Sequence, residues 1–235
     1  MSMSEKIVQH GIEMEALKLE YNKYAAESRA ALRLTLTRIE NLKEALEMTG
    51  QDNPFDLIES RIKTFESVKG KCKTRGYELN IESIRENVKD VAGIRIVTKY
   101  IDDVQKLVGL LEKIPGLNIV DKKDYITEPK PNGYSSIHLG CKVEVFTGVD
   151  GSKLVPIEIQ LRSYSMNLWA TLEHDLKYKN ENPSPEVTKK FKRIAEFLRE
   201  FDEEAIALRD YHEISESNLE SSTSKENAET IINMV

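Results

Sequence analysis

The sequence predicts an α+β protein, with a mixed sheet in the middle of the chain and helices at both ends. Three observations carry this reading. Residues 5–47 and the stretch from Pro185 repeat apolar side chains at helical spacing. Short apolar runs such as Ile94-Arg95-Ile96-Val97, and the alternating stretch Ile157 to Arg162, read as strands. Helical patterns separate those runs, as expected when strands and helices share one core.

The elements follow in order. In the first helix, Leu17, Tyr21, Tyr24, Leu32, Leu36, Ile39, Leu42 and Leu46 form the apolar stripe, and Thr49-Gly50 breaks it. The spacing of Phe55, Ile58, Ile62 and Phe65 predicts a second helix from about Pro54 to Lys73, ended by Gly76. A short helix from Ile81 to Val88 leads into the Ile94–Val97 strand. Asp102 is expected to cap a helix that runs to Lys113 and stops at Pro115-Gly116. Leu117–Val120 is a strand candidate. Two long strands, Tyr134–Phe146 and Leu154–Arg162, are joined by a turn at Gly148–Ser152. A helix from Ser165 to Lys179 places Trp169, Leu172 and Leu176 on its core face. The last helix starts near Pro185 and ends near Ile214, with Phe191, Ile194, Ala195, Leu198, Phe201, Ala205 and Leu208 as its stripe. The polar tail from Ser215 is expected to fray. The domain plan is a helical extension over 1–50, a core over 51–180, and a helix and polar tail over 181–235.

Composition narrows the function classes. The 235 residues are 40% hydrophobic and 31% charged, with a formal net charge of −6. No run approaches the length of a membrane span, so no membrane partner is expected. Glu5, Lys6, Glu13 and Glu15 interrupt the N-terminus, which is not a signal peptide. Cys72 and Cys141 lie far apart without a His/Cys cluster, which predicts reduced thiols and a cytoplasmic protein. The acidic balance argues against a general nucleic-acid or DNA binder. An acidic protein that handles phosphates must gather its cations locally. Arg61, Lys63, Lys69, Lys71, Lys73 and Arg75, opposed only by Glu66, do so.

Candidate chemistry lies in four places. On the expected second helix, Lys63, Ser67 and Lys71 share a face with Arg61 to one side; this is either a solvated basic face, the commoner case, or a polyphosphate cradle. In Pro156 to Arg162, Glu158, Gln160 and Arg162 alternate with apolar residues, so they form one wet strand face or one side of a site. Asp90, just before a strand, is a turn cap or a magnesium ligand, and pairs with Glu158 if their strands are neighbours. Tyr134 is an edge aromatic or a flat platform for a nucleobase. The four histidines, including the His174 of a His-Asp pair, are too scattered for a metal hydrolase.

Five blocks in order resemble the RelA/SpoT-like small alarmone synthetases, over roughly Asn53 to Tyr211. They are Ser60-Arg61-Ile62-Lys63 with Ser67, Asp90 to Ile96, Asn132 to His138, Glu158 to Arg162, and Met166 to His174. The resemblance implies a nucleotidyltransferase-like fold. It also implies transfer of diphosphate from ATP to the 3′-hydroxyl of GDP or GTP, giving ppGpp or pppGpp and AMP in the stringent response. Arg61, Lys63, Ser67 and Lys71 would hold ATP phosphates and Arg95 would pack on adenine. Asp90 and Glu158 would bind Mg²⁺, with Glu158 also placed to take the 3′-hydroxyl proton. Tyr134 would stack on guanine, with Lys130, His138, Gln160, Arg162 and Asn167 serving the acceptor side. The resemblance further implies a homotetramer and leaves room for a regulatory nucleotide. Two departures stand out. Ser135 replaces a commonly basic or amide residue, and Leu161 stands at a core-facing position. The sequence carries no block of the hydrolase half of long relatives, so a synthetase without a hydrolase is expected. The rival readings are a pyrophosphokinase acting on tRNA 3′ ends and a non-catalytic nucleotide-binding regulator; retention of both Asp90 and Glu158 speaks against the second.

Overall fold

A computed structural model of the chain describes residues 3–148, 151–178 and 184–232. Val149 and Asp150 of the expected turn, and Lys179 at the expected helix end, lie outside them. The chain divides into two compact units, Met1–Lys130 with Ser135–Tyr164, and Pro131–Tyr134 with Ser165–Val235.

The first unit is built on a five-stranded sheet of order β1-β2-β5-β4-β3. The strands are β1 (Leu57–Ile62), β2 (Ala92–Thr98), β3 (Leu117–Asp124), β4 (Ile137–Phe146) and β5 (Ser152–Ser163). β2 and β5 pair in parallel and the other neighbours are antiparallel. α1 (Met3–Met48) and α4 (Ile101–Leu111) pack on one sheet face. Ile94, Ile96, Leu139, Ile157 and Ile159 are buried there with Leu107, Leu111 and Ile39. The first half of α1 has a separate task. Leu17, Tyr21 and Tyr24 form a second apolar cluster with Phe65, Val68 and Cys72 of α2 (Phe65–Arg75) and Ile84 of α3 (Ile81–Asn87).

The segment after Pro54 departs from the expected second helix. Residues 57–62 form edge strand β1, paired with β2 from Leu57↔Val97 to Ile62↔Ala92. The helix starts only at Phe65, where Thr64 caps it by accepting a hydrogen bond from the Ser67 amide. A spacing of four, as between Ile58 and Ile62, puts side chains on one side in a strand as well as in a helix, so pairing with β2 decides the outcome. Gly76 ends α2 at φ 71°, as expected of a left-handed cap.

Smaller departures also have local causes. α4 begins at Ile101 with Tyr100 as its cap residue, so Asp102 sits in the first turn instead of capping it. β3 runs on to Asp124, because the β4 ladder continues past an irregularity between Ile119 and Asp121. β4 starts at Ile137, not at Tyr134.

In the second unit, α5 (Tyr164–Tyr178) buries Met166 and Trp169 and leaves Leu172 and Leu176 exposed, so the expected core face is only partly used. The Trp169 indole donates a 2.9 Å hydrogen bond to the Phe191 carbonyl, and the two rings meet edge to face at 5.5 Å. Buried Ser165 and Asp202 are hydrogen-bonded to each other. α6 runs from Pro185 to Ile232, past the fraying expected at Ser215. Phe191 of its stripe is buried, whereas Phe201 and Leu208 are exposed.

Candidate active site

Register places the polar residues of the sheet on the face opposite the α1/α4 core. One cross-strand row reads Glu59, Arg95, Gln160, His138 and Lys123. The next reads Arg61, Gly93, Glu158, Gly140 and Asp121. Glu158 therefore stands between two glycines, so no neighbouring side chain in its row covers it. A cleft of about 230 Å³ opens here, lined by Arg61, Asp90, Arg95, Glu158 and Gln160, with Glu59, Ser60, Gly93 and Ile94.

Asp90 lies at the turn into β2 and takes both lysines of the expected cradle. Lys63 Nζ donates to its Oδ2 at 2.5 Å and Lys71 Nζ to its Oδ1 at 2.7 Å. Lys63 follows β1 and Lys71 lies on α2, so strand, cap and helix together, and not one helix face, bring the two lysines to the same carboxylate. Burial alone would raise the Asp90 carboxyl, but the hydrogen bonds and charges of Lys63 and Lys71 outweigh it and hold it below the ordinary carboxylate range.

Glu158 is fixed by a relay along its own strand. Buried Arg162 donates to Gln160 Oε1 at 3.0 Å, and Gln160 Nε2 donates to Glu158 Oε1 at 2.7 Å. A guanidinium only donates, so the Gln160 carbonyl must face Arg162 and its amide must face Glu158. His138 Nδ1 stands 3.6 Å from Glu158 Oε2 on the other side. Burial pushes the Glu158 carboxyl up, but His138 and Gln160 outweigh it, against opposition from Asp90, so it too sits below its ordinary range.

The remaining expected residues fall in identifiable places. Arg95 forms a 3.0 Å ion pair with Glu59. Ser67 is tied into the α2 cap, its hydroxyl 2.8 Å from Thr64 Oγ1. Lys130 sits 4.5 Å above the Tyr125 ring, whose neighbour at 5.4 Å is the imidazole of His138. Tyr134 and Asn167 belong to the second unit. There the Tyr134 ring meets Trp169 at 5.9 Å, and Gly133 precedes it at φ 91°. A Cβ at Gly133 would lie 2.6 Å from the Ala195 Cβ, so both backbone and space require glycine.

Sequence reasoning missed Glu59 and Tyr21. Glu59 lines the cleft and pairs with Arg95; reading residues 57–62 as a strand would have placed it beside Arg61. Tyr21 lies on α1, and its hydroxyl donates to the Lys63 carbonyl.

Two carboxylates and two arginines thus line one cleft, and two lysines hold one of those carboxylates. Residues 60–183 match the family described as "Region found in RelA / SpoT proteins". The chain is 37% identical over 158 residues to GTP pyrophosphokinase YwaC of Bacillus subtilis, covering 67% of this chain and 75% of that one. It is 30% identical over 211 residues to GTP pyrophosphokinase YjbM of the same organism, covering 89% and 97%. The fold superposes on the small alarmone synthetase 1 of B. subtilis bound to its product pppGpp, with a TM-score of 0.75, 30% identity, and coverage of 82% of this chain and 97% of that one. The chain belongs to the RelA/SpoT family, in its small alarmone synthetase branch.

Proposed function

We infer that the chain is a GTP/GDP pyrophosphokinase that transfers the β,γ-diphosphate of ATP to the 3′-hydroxyl of GDP or GTP, making ppGpp or pppGpp. The observation that carries this reading is the cleft in which Asp90, Glu158, Arg61 and Arg95 converge, with Lys63 and Lys71 on Asp90. The acceptor 3′-oxygen forms a bond to the β-phosphorus, the bridge to the α-phosphate breaks, and AMP leaves with the electron pair. The hydroxyl proton goes to Glu158, whose carboxylate is oriented by the Arg162–Gln160 relay on one side and His138 on the other. Arg61, Lys63 and Lys71 neutralise the charge on the transferring phosphates, Ser67 adds a donor at the start of α2, and Arg95 packs on the adenine. On the acceptor side, Tyr134 stacks on the guanine, and Lys130, His138 and Asn167 serve the nucleotide.

Asp90 and Glu158 fit Mg²⁺. Both are carboxylates on one cleft, close enough that the Asp90 charge acts on Glu158, and magnesium draws its other ligands from phosphates and water. Bound there, the ion would neutralise phosphate charge. Chromatography of nucleotides after incubation with ATP, GDP or GTP and Mg²⁺ tests the reading. AMP is expected in step with a 3′-pyrophosphorylated guanine nucleotide; ADP and phosphate alone would overturn it.

Four chains form the working assembly in this proposal, and the compartment is the cytoplasm. Exposed Leu168, Leu172 and Leu176 of α5, and Phe197, Phe201 and Leu208 of α6, support association. Light scattering that returns a monomer at micromolar concentration would refute it. Among the described residues no helix is long and apolar enough to cross a membrane, and both cysteines are free and buried.

A further inference from the structure

Lys63 sits at a junction. β1 ends at Ile62 and the α2 cap is Thr64, so Lys63 belongs to neither ladder. Its amide is tied across to the Val91 carbonyl at 2.8 Å, next to Asp90. Its ammonium is on Asp90. Its carbonyl is the acceptor of a part-buried hydrogen bond and needs a donor there. The Tyr21 hydroxyl, contributed from 42 residues earlier in the chain, is that donor. Tyr21 is 2% exposed, and its ring is held by Phe65 at 5.5 Å, the first residue of α2. Burial and the nearby Asp90 charge push its phenol up to about 12, so it stays protonated and keeps donating at neutral pH.

We propose that Tyr21 is a positioning residue for the donor nucleotide: its hydrogen bond to the Lys63 carbonyl sets the backbone from which Lys63 reaches Asp90 and the ATP phosphates. α1 is then more than a cover for the sheet. Its second half closes the core, and its first half, outside the region matched to the family, holds the phosphate lysine in place. The proposal rests on the reading of this cleft as the ATP site.

Removal of the hydroxyl alone leaves the Phe65 contact but frees the Lys63 carbonyl to turn toward another donor. That rotates the peptide between Lys63 and Thr64, and with it the lysine and the cap of α2. Only the donor side should feel this.

The test uses the full chain with Mg²⁺ and compares wild type, Tyr21→Phe and Leu17→Ala. Leu17 belongs to the same cluster and the same helix, and its aliphatic side chain cannot donate a hydrogen bond to the Lys63 carbonyl. Calorimetric titration of ATP and separate KM values for ATP and acceptor are measured, alongside thermal stability. Tyr21→Phe is expected to weaken ATP about tenfold, equivalent to ~1.4 kcal/mol, with acceptor KM within about twofold of wild type. Leu17→Ala is expected to melt earlier and bind ATP as wild type does. Unchanged ATP affinity in Tyr21→Phe overturns the proposal. So does an equal rise in both KM values, or weakening by Leu17→Ala as large as that by Tyr21→Phe. A wild-type chain that binds no ATP overturns the reading of the cleft, and the proposal falls with it.

Discussion

Asp90 is held by the two lysines proposed to bind ATP, and this makes Asp90→Asn informative beyond loss of turnover. For Lys63 and Lys71 to move onto phosphates, bonds of 2.5 and 2.7 Å to a carboxylate must be given up. A hydrogen bond to a charged partner contributes ~1.5–3 kcal/mol net and a neutral one ~0.5–1.5. The asparagine variant keeps one oxygen and puts an amide NH2, a donor, where the other stood, so one lysine is released about 1 kcal/mol more cheaply and the other has no bond to give up. The side chains of Asp90, Lys63 and Lys71 are 19%, 15% and 30% exposed, so solvent screening trims the total. About 1–2 kcal/mol remains for the pair, or roughly 5–30-fold.

Asp90→Asn is therefore expected to bind ATP more tightly than wild type in EDTA while losing most turnover with Mg²⁺. Titration calorimetry with and without the ion gives the full cycle. In wild type, Mg²⁺ and ATP should each strengthen the other, because both relieve the same three-way contact. In the variant that coupling should be much reduced. Metal-free ATP binding no tighter in Asp90→Asn than in wild type would refute the reasoning, since the lysines would then not be exchanging partners.

Other expectations follow from the same geometry. Glu158→Gln keeps an acceptor for the Gln160 amide and should fold normally, yet lose ~10²–10⁴-fold in kcat; steady-state rates with a melting curve check both halves. Tyr134→Ala should weaken acceptor binding by about 1–3 kcal/mol, whereas Tyr134→Phe keeps the flat face and should stay near wild type. Titration with GDP at fixed ATP separates the two variants. Glu27 is half-buried, with Arg85 and Lys153 at 2.8 and 3.3 Å. Burial would raise its carboxyl, but those two cations hold it below the ordinary 4.5. A depressed folded value means stability present above about pH 4.5 and lost as pH falls through that folded value. Glu27→Gln should accordingly be less stable at pH 7, and the gap to wild type should narrow below pH 4.5 in denaturant titrations.

The parts of the site that the sequence made visible are those with a local period. Glu158, Gln160 and Arg162 alternate on β5, and that alternation alone places them on one sheet face, where the relay is found. Asp90 and Glu158 were expected to meet if their strands were neighbours, and β2 and β5 are parallel partners, with Gly93 opposite Glu158. β1 escaped because Glu59, Ser60 and Arg61 are weak strand formers and because Phe55, Ile58, Ile62 and Phe65 fit a helix as well. Only the ladder with β2 separates the two, and a ladder is a contact between distant segments. The same holds for Lys63 on Asp90, 27 residues apart, and Tyr21 on Lys63, 42 apart. No periodicity in a single segment encodes such a contact. On α5 the limit is different. Leu168, Leu172 and Leu176 repeat at four-residue spacing, a perfect apolar stripe, yet the side buried within the second unit is that of Met166 and Trp169. Hydrophobic spacing identifies which residues seek cover. It does not say whether the cover comes from the same chain, and the proposed assembly of four is where those leucines would find it.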